Sequence, residues 1–290
     1  MEVNYNCADL YFKNNVFEIL ENGTECETRA VWKDTGEKAH VLKAFGIVNT
    51  YNLSNGQFPA LTLRPLAFKN CIDEILWIWQ KKSNDVRDLH SHIWDSWAGE
   101  DHTIGMAYGY QVAHKYQKCV DSTGTTMRFD QTNYILNELK NNKYSRRMVA
   151  NLYDICDLDN MNLHPCCYNF TLNVTADKDG NDVLNMVLNQ RSNDFIVANN
   201  WNVAQYAVLL CMFAQVSNMK PGKLVHVIAD AHIYDRHIEI AKELLERESF
   251  EAPTLWIDKS ITNFYNFTVD SFRLENYKTN DQVKNIPVAV

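Results

Sequence analysis

Punctuation residues are scarce in this sequence. Six prolines and ten glycines are spread over 290 residues, with no Pro/Gly/Ser-rich linker, low-complexity tract or internal repeat. That excludes a string of small modules and favours a single domain over residues 1–290, long enough to bury a large core. Long apolar runs are missing too: no window approaches the roughly 18 uninterrupted apolar residues of a membrane span. Residues 1–15 are acidic and mixed, with no basic start, apolar stretch or small-residue cleavage site, so no signal peptide is expected. Positive charge is in short supply: 28 Lys and Arg face 36 Asp and Glu, a net charge of −8 that argues against nucleic acid or a membrane surface as partner. Any anionic ligand must be held by a local group of arginines. Neither a CxxC pair nor an HExxH helix occurs, so no metal site is expected. The eight cysteines, at 7, 26, 71, 119, 156, 166, 167 and 211, lack framework spacing and read as reduced thiols. A cytoplasmic location follows as the expectation, and the five Asn-x-Ser/Thr sequons are then incidental.

What is present is a densely apolar chain, 46% hydrophobic and 12% aromatic. Phe68, Cys71, Ile72, Ile75, Leu76 and Trp79 recur at three- and four-residue steps, which predicts an amphipathic helix over 66–82 carrying Glu74. A second helix fits 130–142 and ends just before Ser145-Arg146-Arg147. Residues 168–174 and 183–189 read as strands around the turn Asp177-Lys178-Asp179-Gly180, a hairpin with Cys166 just upstream and Arg191 just downstream. From Trp201 to Met219 the chain is apolar on nearly all sides, as in a helix buried at the centre of a domain. Leu224 to Tyr234 reads as a strand, Asp235 is placed to cap a helix through about Glu248, and short β stretches fall near 253–257 and 267–277. The class is α+β.

The hairpin carries the chemistry, because it brings Cys166 and Arg191 to one end of a sheet. A cysteine attacks only as the thiolate; a nearby guanidinium lowers its pKa and offers planar donors to a phosphate. Thiol plus anion clamp points to covalent chemistry on a phosphorylated small molecule. Each residue alone has a plainer reading. Cys166 could be a packed small hydrophobe, and Arg146, Arg147 and Arg29 could be solvated surface charges. The alternation in Asp230-Ala231-His232-Ile233-Tyr234 could mark one edge of a half-buried strand, although it sets His232 and Tyr234 on the same face, within reach of one sugar hydroxyl.

Several segments acquire meaning in order. They are Glu74-Ile75-Leu76-Trp77, Ile93-Trp94-Asp95-Ser96-Trp97, Ile104-Gly105-Met106-Ala107-Tyr108-Gly109-Tyr110-Gln111 and Ser145-Arg146-Arg147. Pro165-Cys166, Gln190-Arg191-Ser192-Asn193-Asp194, Asn202-Val203-Ala204-Gln205-Tyr206, Asp230 to Tyr234 and the terminal Pro287-Val288-Ala289-Val290 follow. In this order and spacing the chain resembles the thymidylate synthase family over essentially its whole length. The resemblance implies a large twisted mixed β-sheet covered by helices, packing back-to-back in a homodimer. It also implies reductive methylation of deoxyuridylate (dUMP) to thymidylate (dTMP), with 5,10-methylenetetrahydrofolate as one-carbon and hydride donor and no metal.

By the same resemblance Cys166 would add to C6 of the pyrimidine and turn C5 into a nucleophile. Glu74 and Tyr108 would belong to the network that moves protons at the ring, and Asn202, whose amide both donates and accepts, would read uracil O4 and N3–H. Arg29, Arg191 and Ser192 would hold the phosphate together with Arg146 and Arg147 of the other subunit. His232 and Tyr234 would take the 3′-hydroxyl. Asp194 would bind the pterin edge, while Ile93, Trp94, Trp97, Ala198, Trp201, Ala289 and Val290 would enclose the folate and keep water from the reactive methylene. Arg64 is a guess for the polyglutamate tail, against a solvated surface arginine.

Departures from the family pattern are local. Cys167 stands where histidine is usual, Thr171 where glutamine is usual, and Ala198-Asn199-Asn200-Trp201 where Gly-x-Pro-Phe is usual. A pocket reshaped there could admit water and give 5-hydroxymethyldeoxyuridylate, so a dUMP hydroxymethylase is the alternative; the Pro-Val-Ala-Val terminus favours methylation. A non-catalytic nucleotide- or RNA-binding relative has little use for the thiol. A cysteine hydrolase pairing Cys166 with His232 lacks an identifiable oxyanion hole.

Overall fold

The computed structural model describes residues 6–118 and 130–290, apart from the side chains of residues 117 and 118; Cys119 and residues 1–5 lie outside the described residues. The first part of the chain forms α1 (Cys7–Asn22), β1 (Thr24–Val31), β2 (Lys38–Asn52), α2 (Phe68–Leu76) and the single turn α3 (Gly109–Val112). Next come α4 (Gln131–Asn141), β3 (Val149–Asn151), β4 (Cys167–Ala176), β5 (Asp182–Gln190) and β6 (Asn193–Asp194). The last part supplies α5 (Asn199–Val216), β7 (Lys220–Tyr234), α6 (Ile238–Glu246), β8 (Thr254–Ile257) and β9 (Phe272–Glu275). The class is α+β, as the sequence implies.

Among the described residues one mixed sheet of seven strands runs β1-β2-β7-β5-β4-β3, with β6 beside β7. Its neighbours are antiparallel except β7, which is parallel to β5 and β6. Register sorts the faces. Tyr51, Leu224, Met186 and Leu172 lie abreast on the covered face, whereas Thr50, Val225, Val187, Thr171 and Val149 lie abreast on the other. Among the described residues no helix covers that second row, and Val149 and Val187 there are 41% and 38% exposed.

The covered face gets its layer from α2, α4 and α5. α5 has no polar stripe because it is enclosed: Val203, Val208, Leu209, Leu210 and Phe213 are all buried, each contributing roughly 1.5–3 kcal/mol. A smaller cluster joins Phe12, Val16 and Ile19 of α1 to Ile228 and Ile233 of β7 and to Ala241 and Leu244 of α6. Asn6 starts α1 by accepting from the Ala8 and Asp9 N–H groups, and Asp130 starts α4 by accepting from the Asn133 N–H. No helix among the described residues is long and apolar enough to cross a membrane.

The hairpin forms as its turn dictates. Asp177 Oδ1 accepts from the Asp179 and Asn181 N–H groups, and Gly180 takes φ +82°. The expected helix over 66–82 is α2 followed by a wider turn, Trp77–Lys81. Asp235 does not cap a helix. Asp235 opens the single tight turn Asp235–His237 after Tyr234, and His237 holds the cap position of α6; neither Tyr234 nor His237 makes a side-chain cap bond. In the tail only Thr254–Ile257 and Phe272–Glu275 are strands.

Candidate active site

Cys166 immediately precedes β4, and Arg191 immediately follows β5. Pairing of Cys167 with Gln190 sets the two ends side by side, and the Arg191 N–H donates to the Cys166 carbonyl at 3.0 Å. The guanidinium is then fixed to the same loop, with Nε donating to the Pro165 carbonyl at 3.0 Å and Nη2 to the His164 carbonyl at 2.8 Å. Burial pushes the Cys166 thiol above its ordinary pKa, while the Arg191 charge pulls it back. A strand pair has thus become a thiol held beside a cation.

Both residues face a cleft of about 950 Å³. Arg29 of β1, Lys43 of β2 and Asp230, His232 and Tyr234 of β7 line it as well. His232 Nδ1 lies 2.7 Å from Asp230 Oδ1, and Lys43 Nζ lies 3.3 Å from Asp230 Oδ2. Burial works against the Asp230 carboxylate, but His232 and Lys43 outweigh it and hold its pKa below the usual range. The chain end closes one side. Val290 and Val31 exchange backbone hydrogen bonds at 2.9 Å, the Lys33 N–H donates to the Val288 carbonyl at 3.0 Å, and His237 Nε2 sits 2.8 Å from the Pro287 carbonyl.

A buried polar layer lies behind this wall. Glu74 of α2 accepts one indole N–H on each carboxylate oxygen, from Trp94 at 2.9 Å and from Trp201 at 2.5 Å. Burial still carries its pKa up to about 7, against these donors. Trp94 stacks edge-on with Trp97 and with Tyr108, whose hydroxyl accepts the Cys166 N–H at 3.2 Å. Tyr108 takes φ +43°, and Gly109 beside it packs on Ser83, where an added Cβ would come within 2.0 Å of the carbonyl oxygen. Asn202 meets a second network. Gln190 Nε2 donates to Asn202 Oδ1 at 3.0 Å, while Gln190 Oε1 accepts from Asn193 Nδ2 at 3.1 Å and lies 2.8 Å from His226 Nε2. Burial lowers the His226 pKa to about 3, so the ring is neutral.

The Cys166 thiol, the Arg29 and Arg191 guanidinium groups, His232 and Tyr234 thus line one cleft, with the buried Glu74 carboxyl behind it. The family profile described as thymidylate synthase matches residues 10–290. The chain belongs to the thymidylate synthase family. It is 41% identical over 281 residues to a thymidylate synthase of Bacillus subtilis subsp. natto, spanning 95% of this chain and 96% of that one, and equally similar to one of Bacillus phage phi3T. Its structure is similar to that of a thermostable thymidylate synthase A from Bacillus subtilis, with TM-score 0.87, 39% identity and coverage of 98% and 99%.

Of the residues the family pattern singles out, Cys166, Arg29, Arg191, Ser192, His232 and Tyr234 line the cleft. So do Trp97, Asp194, Ala198, Ala289 and Val290. Glu74, Trp94, Tyr108, Asn202 and Trp201 stand behind it rather than in its lining. Ile93 is 38% exposed and outside the lining. Arg146 and Arg147 are exposed beside β3, at the sheet edge opposite β1, and do not reach this cleft. Two departures lie outside the lining. Thr171 lies on the uncovered face abreast of Val149 and Val187, and Cys167 is buried in the core. Arg64 is not a solvated surface arginine: Nη2 donates to the Ile196 carbonyl, and Nε is buried without a partner.

Sequence reasoning gave no role to Lys43, Cys26, Gln190, Asp230 or His226. Gln190 and Asp230 sat inside quoted motifs, but only the register of β5 and β7 reveals what they touch. Among the described residues, no group of three or more His, Cys, Asp or Glu side chains could hold a metal ion.

Proposed function

We propose that this chain catalyses the reductive methylation of dUMP to dTMP, with 5,10-methylenetetrahydrofolate as co-substrate, within one domain over residues 1–290. The observation that carries the reading is the fixed Cys166–Arg191 unit facing Arg29, His232 and Tyr234 across a cleft large enough for a nucleotide beside a pterin. Arg191, Ser192 and Arg29 hold the phosphate, which displaces solvent and sets the ring over the thiol. The Cys166 thiolate then forms a bond to C6, the ring electrons move to C5 and O4, and C5 becomes the nucleophile. When bound, the folate supplies the one-carbon unit and the hydride that reduces it.

Asn202 reads the base, with its amide orientation set by Gln190. Glu74, with a pKa near neutrality, takes up and releases protons at working pH, and Tyr108 accompanies it behind the thiol. His232 and Tyr234 hold the 3′-hydroxyl. Asp194 meets the pterin edge, while Trp97, Ala198, Ala289 and Val290 wall off the folate, with Ile93, Trp94 and Trp201 supporting that wall from outside the lining.

The functional unit is a homodimer joined through the uncovered sheet face, where Val149 and Val187 stand exposed. Arg146 and Arg147, at the edge far from their own cleft, then complete the partner's phosphate site. The free thiols at Cys7, Cys26, Cys71, Cys156, Cys166, Cys167 and Cys211 suit a reducing compartment, the cytoplasm.

Incubation with dUMP and 5,10-methylenetetrahydrofolate tests the reading, with products resolved by mass spectrometry. Thymidylate and dihydrofolate are expected. Tetrahydrofolate with a nucleotide one oxygen heavier would show a hydroxymethylase instead, and no change in either compound would leave a binding protein.

A further inference from the structure

Glu74 titrates among groups that do not help it ionise. Cys71 and Asp73 share its helix, Asp73 being paired with His90 and lying 4.0 Å from Lys81; Cys167 faces it from β4 and Tyr206 from α5. None of the four is a cation, and burial opposes the charge. What favours the carboxylate is its donors: the Trp94 indole on Oε1, the Trp201 indole on Oε2, and Gln205. An indole N–H can donate but never accept, so it stabilises the ionised acid and offers nothing to the proton of the neutral one. Two such donors, one on each oxygen and from two different elements, also fix the rotation of the carboxylate. Trp201 stands in the first turn of α5, whose positive end adds to the same preference. A phenylalanine at this position could pack but could not donate.

We propose that Trp201 is a positioning residue for the reaction, its indole N–H holding the Glu74 carboxylate turned and ionised; this rests on the reductive-methylation reading for the role of Glu74. Trp201→Phe removes the donor and keeps an aromatic ring. Infrared difference spectra across a pH titration report the protonated Glu74 carboxyl band, identified by its loss in Glu74→Gln. In Trp201→Phe the midpoint of that band moves up by about one pH unit, and the acid limb of the kcat profile moves with it, a tenfold loss in carboxylate below the midpoint. Where phenylalanine leaves the fold loose, 3-benzothienylalanine at 201, with sulfur in place of N–H and the same bicyclic shape, carries the same prediction. An unmoved infrared midpoint in the folded variant overturns the proposal. A wild-type protein that makes no thymidylate would sink the functional reading, while the titration would still report whether Trp201 governs Glu74.

Discussion

The wall of the cleft and the layer behind it are built on different terms. On the wall, Arg29, Arg191, His232 and Tyr234 face a space that solvent or a ligand can fill, so each side chain can lose a partner and find another. Behind the wall, Glu74, Trp94, Trp201, Asn202 and His226 meet their hydrogen-bond partners inside the protein, and Gln190, which also borders the cleft, ties Asn202 and His226 together. There a lost partner leaves a buried polar group stranded, at a cost of about 1–3 kcal/mol. A change on the wall should therefore read out in binding or chemistry with little effect on folding. A change in the layer should read out in stability, in pKa and in chemistry together.

Cys166→Ser sharpens that contrast most. It should lower turnover by on the order of 10⁴-fold or more, because the covalent route disappears, while calorimetry still detects dUMP binding and the melting temperature barely moves. Glu74→Gln, in the layer, should cost about 10²–10⁴-fold in kcat and also change how stability depends on pH. Folding raises the Glu74 pKa from 4.5 to about 7, so across that window the folded chain holds the proton more tightly than the unfolded one. The contribution of Glu74 to stability therefore falls as pH rises from 4.5 to 7. Denaturant titrations should show Glu74→Gln gaining on the wild type by about 3 kcal/mol over the same interval. A constant difference between the two proteins would mean that the carboxylate is not desolvated.

Gln190→Leu should destabilise the chain by about 2–4 kcal/mol, because it strands His226, Asn193 and Asn202 at once, and it should loosen discrimination between uracil and cytosine nucleotides. Asp230→Asn, back on the wall, should have the smallest effect. It should raise the KM for dUMP about tenfold by freeing the His232 ring and leave the KM for 2′,3′-dideoxyuridylate, which lacks the hydroxyl, unchanged. Equal losses for both nucleotides would break the link between Asp230 and that hydroxyl.

Legibility in the sequence follows the same division. The β4–β5 hairpin announced itself through its turn, and α5 through an apolar surface on all sides, because both signals are local. β1 and β2 gave no such warning. Arg29 and Lys43 enter the site only because β2 pairs with β7, a relation between residues almost 190 positions apart, as in Lys43 opposite His232. Asp235 looked like a helix cap by type, yet it lies inside the tight turn ahead of α6, and no cap bond is made. Wall residues could be named from motifs that place their chemistry at a strand end. In the layer, Glu74, Trp94, Asn202 and Trp201 were named only through the family resemblance and their partners were not, because the contacts of Gln190 with His226 and of Trp201 with Glu74 depend on register and helix placement that no short motif encodes.

The central claim is that the Cys166 sulfur bonds to the pyrimidine inside this cleft, and trapping that bond tests it most directly. Incubation with 5-fluorodeoxyuridylate and 5,10-methylenetetrahydrofolate, followed by proteolysis and mass spectrometry, should show nucleotide and folate together on the peptide that contains Cys166. No adduct, or one carried instead by Cys26 on the other side of the same cleft, would contradict the account.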